Sequence, residues 1–301
     1  MAKKSKKITI YAPDLSFGRK YITFAVKQFN MRSVFIFLLL IGVVSISSCS
    51  NYNKIAKGDD YEQKKIYADK FYTNEQWDRS ATLYEQIYQR YSKGPVGEES
   101  YFRLAKSHYM MEDYYLAGYY FKSYSERFFL SPFSEEATFL GAMCAVKNSP
   151  NYTLDQTETR SALSELQNFI ELYPQSNLVD SCNSIMDRLR SKLEQKAYES
   201  AKLYDKMENY RASVTAFDSF VEEYPTSDKR EEALFLATKS QFLLSQNSVE
   251  SKKYDRFEET IKRSRKFASL FPNSKYLKDI ESFREKSEKE LETIRKTKIQ
   301  P

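Results

Sequence analysis

The chain has 301 residues with 47 Lys+Arg against 41 Asp+Glu, a formal charge of +6, and a mean hydropathy of -0.65. Seven Gly and eight Pro leave too little turn chemistry for a many-stranded β-protein or a glycine-loop nucleotide binder, so helices are the expected element. The 24 Tyr and 21 Phe supply ample burial, and lysines in the first 30 residues carry much of the positive charge, so no basic stripe calls for nucleic acid.

The first segment in chain order is a targeting signal. Arg32 is a positive n-region, Val34 to Val44 is an almost unbroken apolar run, and small residues lead up to Cys49. The run falls short of the roughly 20 residues that span a membrane. The end Ile46-Ser47-Ser48-Cys49 resembles a bacterial lipobox, in which cleavage precedes the cysteine and its thiol carries lipid. Cys49 is thus the expected lipid attachment and first mature residue, with an uncleaved N-terminal anchor as the alternative. One acyl chain, at about 0.8 kcal/mol per buried CH₂, holds a protein only marginally, so the several chains of a bacterial lipoprotein suit permanent anchoring. Residues 1–48 are read as an N-terminal extension plus signal, with a natural start at Met31, and residues 49–60 as a slack, polar, lipidated tether.

Residues 61–277 carry an internal repeat. Phe169-x3-Tyr173-Pro174, Phe220-x3-Tyr224-Pro225 and Phe267-x3-Phe271-Pro272 are one phrase, each followed two residues later by Ser176, Ser227 or Ser274. Aromatics at i and i+4 share a helix face, proline stops that helix, and the serine is placed to cap the next. Upstream, the trios Trp77/Ser80/Tyr84, Tyr114/Ala117/Phe121 and Tyr210/Ser213/Phe217 put a small residue between rings, and Ala68, Ala105 and Ala201 mark the preceding helices. A small residue lets two helices approach while rings fill the flanks. These spacings resemble tetratricopeptide repeats. The predicted fold is all-α, a right-handed solenoid of about five helix pairs at 61–95, 96–132, 133–174, 177–225 and 228–272. Pairs three and five are degraded and carry inserts near Val146 to Thr157 and Gln246 to Tyr254. Residues 278–301 read as a charged helix and tail, with Glu285/Lys289 and Glu292/Lys296 at i, i+4; a solvated cap or a partner-binding helix both fit.

Catalytic chemistry finds little support, and an enzyme is not expected. His108 is the only histidine and aligns with Phe71 and Tyr204 at a helix-packing position. The acid pairs Glu98-Glu99, Glu135-Glu136 and Glu231-Glu232 sit at predicted helix starts, where they offset the dipole. Cys144 and Cys182 lack metal spacing; they are read as two buried thiols, although an oxidising compartment permits a bridge. No cofactor or metal is called for.

A lipobox followed by about five such units resembles the BamD family, lipoproteins of the outer-membrane β-barrel assembly machine. The similarity is carried best by Asp155-Gln-Thr-Glu-Thr, by Leu193-x2-Lys196-x-Tyr198-x2-Ala201-x2-Tyr204 and by Tyr224-Pro225. Repeats one and two depart from it, closing as Tyr91-Ser92-Lys93-Gly94-Pro95 and Phe129-Leu130-Ser131-Pro132, and the C-terminal extension is long. The resemblance implies a scaffold on the periplasmic face of the outer membrane. Its C-terminal repeats would bind the POTRA region of the barrel-inserting subunit, and its N-terminal repeats would receive unfolded outer-membrane proteins. Ser50, not aspartate, after Cys49 leaves the outer membrane open. A tetratricopeptide lipoprotein coordinating cell-wall synthesis and a carbohydrate-binding lipoprotein are the alternatives.

Counting from Ala68 and Ala105 places Lys65, Asp69 and Tyr72 beside Phe102, Lys106 and Tyr109 on the inner face of the first two units, where rings could stack on aromatic signals and lysines attract a carboxylate. Ordinary exposed groove residues are the alternative reading of the six. The partner surface is expected on repeats four and five, with a chain cut before Asn177 keeping repeats one to three folded.

Overall fold

The computed structural model describes residues 51–299; Cys49, Ser50 and the signal segment lie outside the described residues. Among the described residues there are twelve helices and no strand: α1 (51–57), α2 (Tyr61–Thr73), α3 (Trp77–Arg90), α4 (Pro95–Met110), α5 (Tyr114–Arg127), α6 (Ser134–Asn148), α7 (Thr157–Leu172), α8 (Val179–Lys206), α9 (Tyr210–Glu223), α10 (Arg230–Gln246), α11 (Glu250–Leu270) and α12 (Leu277–Ile299). The fold is all-α, and its helix pairs fall at the positions set by the repeats. Two compact units divide the chain, one ending at Ile87 and one beginning at Tyr88.

In the first unit Asp60 caps α2, accepting the Gln63 N–H at 2.9 Å. Ala68, Leu83, Tyr84 and Ile87 are fully buried, and the Tyr84 hydroxyl is satisfied by Asp69 at 2.6 Å. The buried Lys64 ammonium donates to Gln86 at 2.7 Å and to the Ala56 carbonyl at 3.3 Å. Residues 51–57, expected as slack tether, instead wind into α1. Tyr52, Ile55 and Ala56 fall at i, i+3, i+4 and give it an apolar side. The Tyr52 ring meets Phe71 edge-on at 5.7 Å, and Arg79 lies 5.3 Å over it.

The second unit is a linear, solenoid-like stack in which each helix packs on the next, with α8 also touching α10 and α10 touching α12. The small residues predicted at the crossings, Ala105, Ala117, Ala162, Ala201 and Ser213, are all fully buried, as are the rings of Phe121, Phe169 and Phe217. Hydroxyls inside the core find partners: Ser213 bonds Ser240 at 2.9 Å and Ser240 donates to Asp205 at 2.9 Å. Cys144 and Cys182 are free and buried. The insert after α6 is a turn at 149–156, stapled by Lys192 of α8 to the Ser149 hydroxyl at 2.7 Å and the Pro150 carbonyl at 3.0 Å. The insert before Tyr254 is mostly additional helix, since α11 already begins at Glu250.

α8 is 28 residues long and serves two layers. Its first half buries Cys182, Ile185, Met186 and Leu189 against Ala142, Ala162, Leu166 and Phe169; its second half buries Tyr198 and Ala201 against Phe217, Phe220, Ala233 and Ala237. The expectation that a chain cut before Asn177 leaves repeat three folded is therefore corrected: the cut would strip the cover from the Leu166/Phe169 core. At the far end α12 covers the stack. Phe283 stacks on Phe242 at 4.9 Å, and Ile280, Ser287 and Leu291 are buried while the remaining face is mostly charged. The Glu292–Lys296 pair forms at 2.7 Å.

Two kinds of turn set the geometry. Between the helices of a pair, Glu75, Glu112 and Glu208 adopt φ of 58°, 61° and 57°. The following N–H groups of Gln76, Asp113 and Asn209 reach back to Phe71, His108 and Tyr204 at 2.8, 3.0 and 3.0 Å, closing a Schellman motif at the position where glycine is usual. Between pairs, Ser176, Ser227 and Ser274 do not cap the next helix as expected. Each accepts the N–H of the residue two further on, at 3.1, 3.0 and 3.0 Å, and so fixes the turn itself.

Two substitutions test this account. At Gly97 an added Cβ would lie 1.6 Å from the Tyr91 carbonyl oxygen, so Gly97→Ala should cost more than about 2 kcal/mol in chemical denaturation. Glu208→Gly should instead stabilise by about 0.5–1 kcal/mol, because it relieves a left-handed backbone at an exposed position. A Gly97→Ala chain as stable as the parent would show that the α4 start is not held against Tyr91.

Candidate functional site

The six predicted groove residues occupy equivalent positions, Lys65, Asp69 and Tyr72 on α2 and Phe102, Lys106 and Tyr109 on α4. On α2, Lys65 and Asp69 meet at 2.8 Å, and Asp69 also accepts from Tyr84. Tyr72 is half-buried, its ring edge-on to Trp77 at 5.1 Å and to Tyr84 at 6.0 Å. On α4, Lys106 pairs with Glu136 at 2.6 Å and lies 5.6 Å over the Phe102 ring. Phe102 itself is 5% exposed and stacks on Phe133 at 4.9 Å, so it is a core ring. Tyr109 is half-buried against Tyr114 at 5.4 Å, and burial pushes its hydroxyl pKa up. Both lysines thus already hold carboxylates, and an anionic ligand would compete with Asp69 or Glu136 for them. Tyr72 and Tyr109 each pack one side of the ring on neighbouring aromatics and remain half-exposed.

His108 takes the packing place that the repeat offset assigns it. Its ring tilts against Tyr120 at 5.4 Å, and Nδ1 faces Asp113 at 3.5 Å. Among the described residues no group of three or more His, Cys, Asp or Glu is placed to hold a metal ion. The paired acids lie in first helical turns as expected, at Glu98, at Glu135 and Glu136, and at Glu231 and Glu232.

Sequence reasoning missed that glutamates on the first helices of repeats two, four and five also lock junctions. Ser131 donates to Glu98 at 2.5 Å, Ser227 to Glu194 at 2.6 Å and Ser274 to Glu231 at 2.6 Å. The separation is 33 residues in the first two bonds and 43 in the third, so no constant offset in the sequence announces them.

Two concavities lie in the second unit. One, of about 580 Å³, runs between α5 and α7 over α6, with the exposed rings of Tyr115 and Tyr119 on one wall, Glu158 and Glu165 on the other, and Cys144 in its floor. A second, of about 390 Å³, repeats the arrangement between α9 and α11 over α10. There Arg263 grips Asp218 through two bonds of 2.8 and 2.7 Å and also meets Glu259 at 3.0 Å, which raises its pKa and braces α11 against α9.

The geometry is that of a repeat array with two grooves, each between the second helices of neighbouring pairs. A family model described as YfiO, outer membrane lipoprotein, matches residues 59–241 and again 204–292. The chain belongs to this family. The overlap of the two YfiO matches is what an array of similar units produces. Among curated proteins, the outer membrane protein assembly factor BamD of Helicobacter pylori is 25% identical over 146 residues, which are 47% of this chain and 66% of that protein, just under two thirds of its length. A solved structure of the TPR2AB domain of yeast Sti1 with pHSP90 aligns over 76% of this chain and 98% of its own, at 13% identity and a TM-score of 0.36.

Burial raises the Cys144 thiol to about 12, so at pH 8 only on the order of one thiol in ten thousand is ionised. In the native YfiO-family chain, a thiol reagent should leave Cys144 and Cys182 unmodified at pH 8 and label both once denaturant unfolds the stack. Native labelling at the rate of a free thiol would mean that the α5–α7 groove opens to its floor.

Proposed function

We propose that this chain is a lipid-anchored periplasmic scaffold of the outer-membrane protein assembly complex. In this reading Cys49 carries the lipid, the C-terminal repeats bind the POTRA region of the barrel-inserting subunit, and the N-terminal repeats receive unfolded outer-membrane proteins. The observation that carries it is the family match across 59–292, supported by the similarity to an assembly factor and by a helical array whose exposed faces suit extended or helical segments. On repeat four, where the partner surface is expected, the rings of Tyr198, Phe217 and Phe220 are buried in the core. What that repeat presents instead is Leu203, Tyr204 and Met207 at the α8–α9 turn, all exposed. These are the residues we assign to the partner contact.

Affinity purification from detergent-solubilised envelope tests the assignment. The parent should recover a large β-barrel with POTRA repeats, and Leu203→Ser/Met207→Ser should reduce that recovery at least tenfold with an unchanged helical spectrum. Recovery of peptidoglycan-associated proteins without the barrel would replace the reading with a cell-wall role. For the anchor, Cys49→Ala should leave an uncleaved or mislocalised precursor, read by mass spectrometry of the mature N-terminus; an unmodified Cys49 in the parent would refute lipidation.

Substrate reception is assigned to rings rather than charges. A peptide ending in phenylalanine should bind the parent and lose about 1–3 kcal/mol on Tyr72→Ala/Tyr109→Ala, measured by calorimetry alongside thermal unfolding. Because both rings are half-buried, Tyr72→Phe/Tyr109→Phe serves as the folded control and should bind like the parent. Equal affinity in the alanine variant would move the substrate contact away from these two rings.

A further inference from the structure

The junction between α5 and α6 departs from its counterparts in one respect. Phe128, Tyr173, Tyr224 and Phe271 each end a second helix, and in each case the serine three residues on returns its N–H to that residue's carbonyl, at 2.9, 3.0, 3.2 and 3.1 Å. The backbone turn is therefore the same in all four. At the two positions between aromatic and serine, three junctions carry Pro174-Gln175, Pro225-Thr226 and Pro272-Asn273, whereas this one carries Phe129-Leu130. The turn does not need them, and burial does not explain them, because Phe129 is 69% and Leu130 85% exposed.

The pair is rigidly presented. Ser131 donates to Glu98, accepts the Phe133 N–H at 3.1 Å and shares a 2.7 Å bond with the Tyr124 hydroxyl. Cations flank the loop, and Glu135 and Glu136 follow it in the first turn of α6, where Glu136 pairs with Lys106. Arg127 precedes the loop and donates to the Tyr88 hydroxyl at 2.7 Å. Arg90 and Lys93 are exposed on the preceding junction, whose Tyr91 carbonyl abuts Gly97 at the start of α4. Glu98, the acid closest to the turn, is directed inward to Ser131, and Glu126 lies on the α5–α7 groove. On the preceding junction Tyr91 and Val96 are also exposed.

We propose that the α5–α6 loop inserts Phe129 and Leu130 into the interface of an anionic phospholipid bilayer, with Arg90, Lys93 and Arg127 at headgroup depth. A loop that exposes two adjacent apolar side chains beside an arginine has the chemistry of interfacial anchoring, in which the apolar groups enter the acyl boundary and the cations meet lipid phosphates. A bilayer is the apolar phase next to which an outer membrane lipoprotein resides. The loop would then hold one edge of the stack against the membrane as a second contact. The inference rests on the lipid-anchored reading, and its test separates the two.

The acylated full-length protein, reconstituted in vesicles of phosphatidylethanolamine with phosphatidylglycerol, would carry a nitroxide on Leu130→Cys. Phe129→Cys supplies a second site, and Met207→Cys on the opposite edge of the stack is the control; buried Cys144 and Cys182 stay unlabelled in the parent. Flotation of the parent with vesicles reports the anchor independently. At 129 and 130, collision with oxygen should exceed collision with a water-soluble nickel chelate at least fivefold. That excess should fall when phosphatidylglycerol is omitted or salt is raised, and Met207→Cys should stay water-exposed. Aqueous accessibility at 129 and 130 in floated protein overturns the proposal, and protection that appears only when another envelope protein is added identifies a protein partner instead and equally overturns it.

Discussion

Close approach of paired helices at small residues is the constraint on which the rest depends. Ala105, Ala117, Ala162, Ala201 and Ser213 are fully buried because any larger side chain there would push two helices apart, and the rings beside them fill the space that the approach creates. Where the small residue is a serine, as at Ser213 and Ser240, its hydroxyl bonds across the crossing, so polarity is accommodated without lost packing. Each helix pair therefore has one preferred distance, and neighbouring pairs inherit it.

The turns convert that spacing into a regular stack. Schellman closures at Glu75, Glu112 and Glu208 return the chain sharply within a pair, at the cost of a left-handed backbone on a side chain that is not glycine. The Ser–Glu bridges at Glu98, Glu194 and Glu231 then tie each junction back to the first helix of its own repeat. α8 breaks the simple modularity. Because its two halves belong to different cores, repeats three and four share a backbone as well as a contact, and neither can be removed cleanly. α12 ends the array by covering Phe242 and presenting a charged face to water.

These features bear on function through what they leave exposed. The buried rings are committed to packing, and the cations on α2 and α4 are committed to Asp69 and Glu136. Among the described residues, surfaces with exposed apolar side chains include the α8–α9 turn with Leu203 and Met207, the tyrosine-walled groove between α5 and α7, and the Phe129-Leu130 tip. They lie on different helix layers and edges of the second unit.

Much of the fold was legible in the chain itself. Low Gly and Pro, the Phe-x3-Tyr-Pro phrase and the aromatic–small–aromatic trios fix helix type, helix ends and the buried face, because each of these is decided within a turn or two of backbone. The lipobox-like Ile46-Ser47-Ser48-Cys49 is likewise a local chemical signal, and it lies outside the described residues. What the tertiary structure decided is which equivalent positions face a neighbour. Phe102 and Tyr109 sit at related offsets on one helix, yet Phe133 from the next repeat buries one ring while the other stays half open. Lys65 and Lys106 read as free cations until Asp69 and Glu136 are seen beside them. The continuity of α8 and the folding of residues 51–57 into α1 were equally invisible, since both depend on partners far away in sequence, and a periodic pattern records that a face is apolar without recording what covers it.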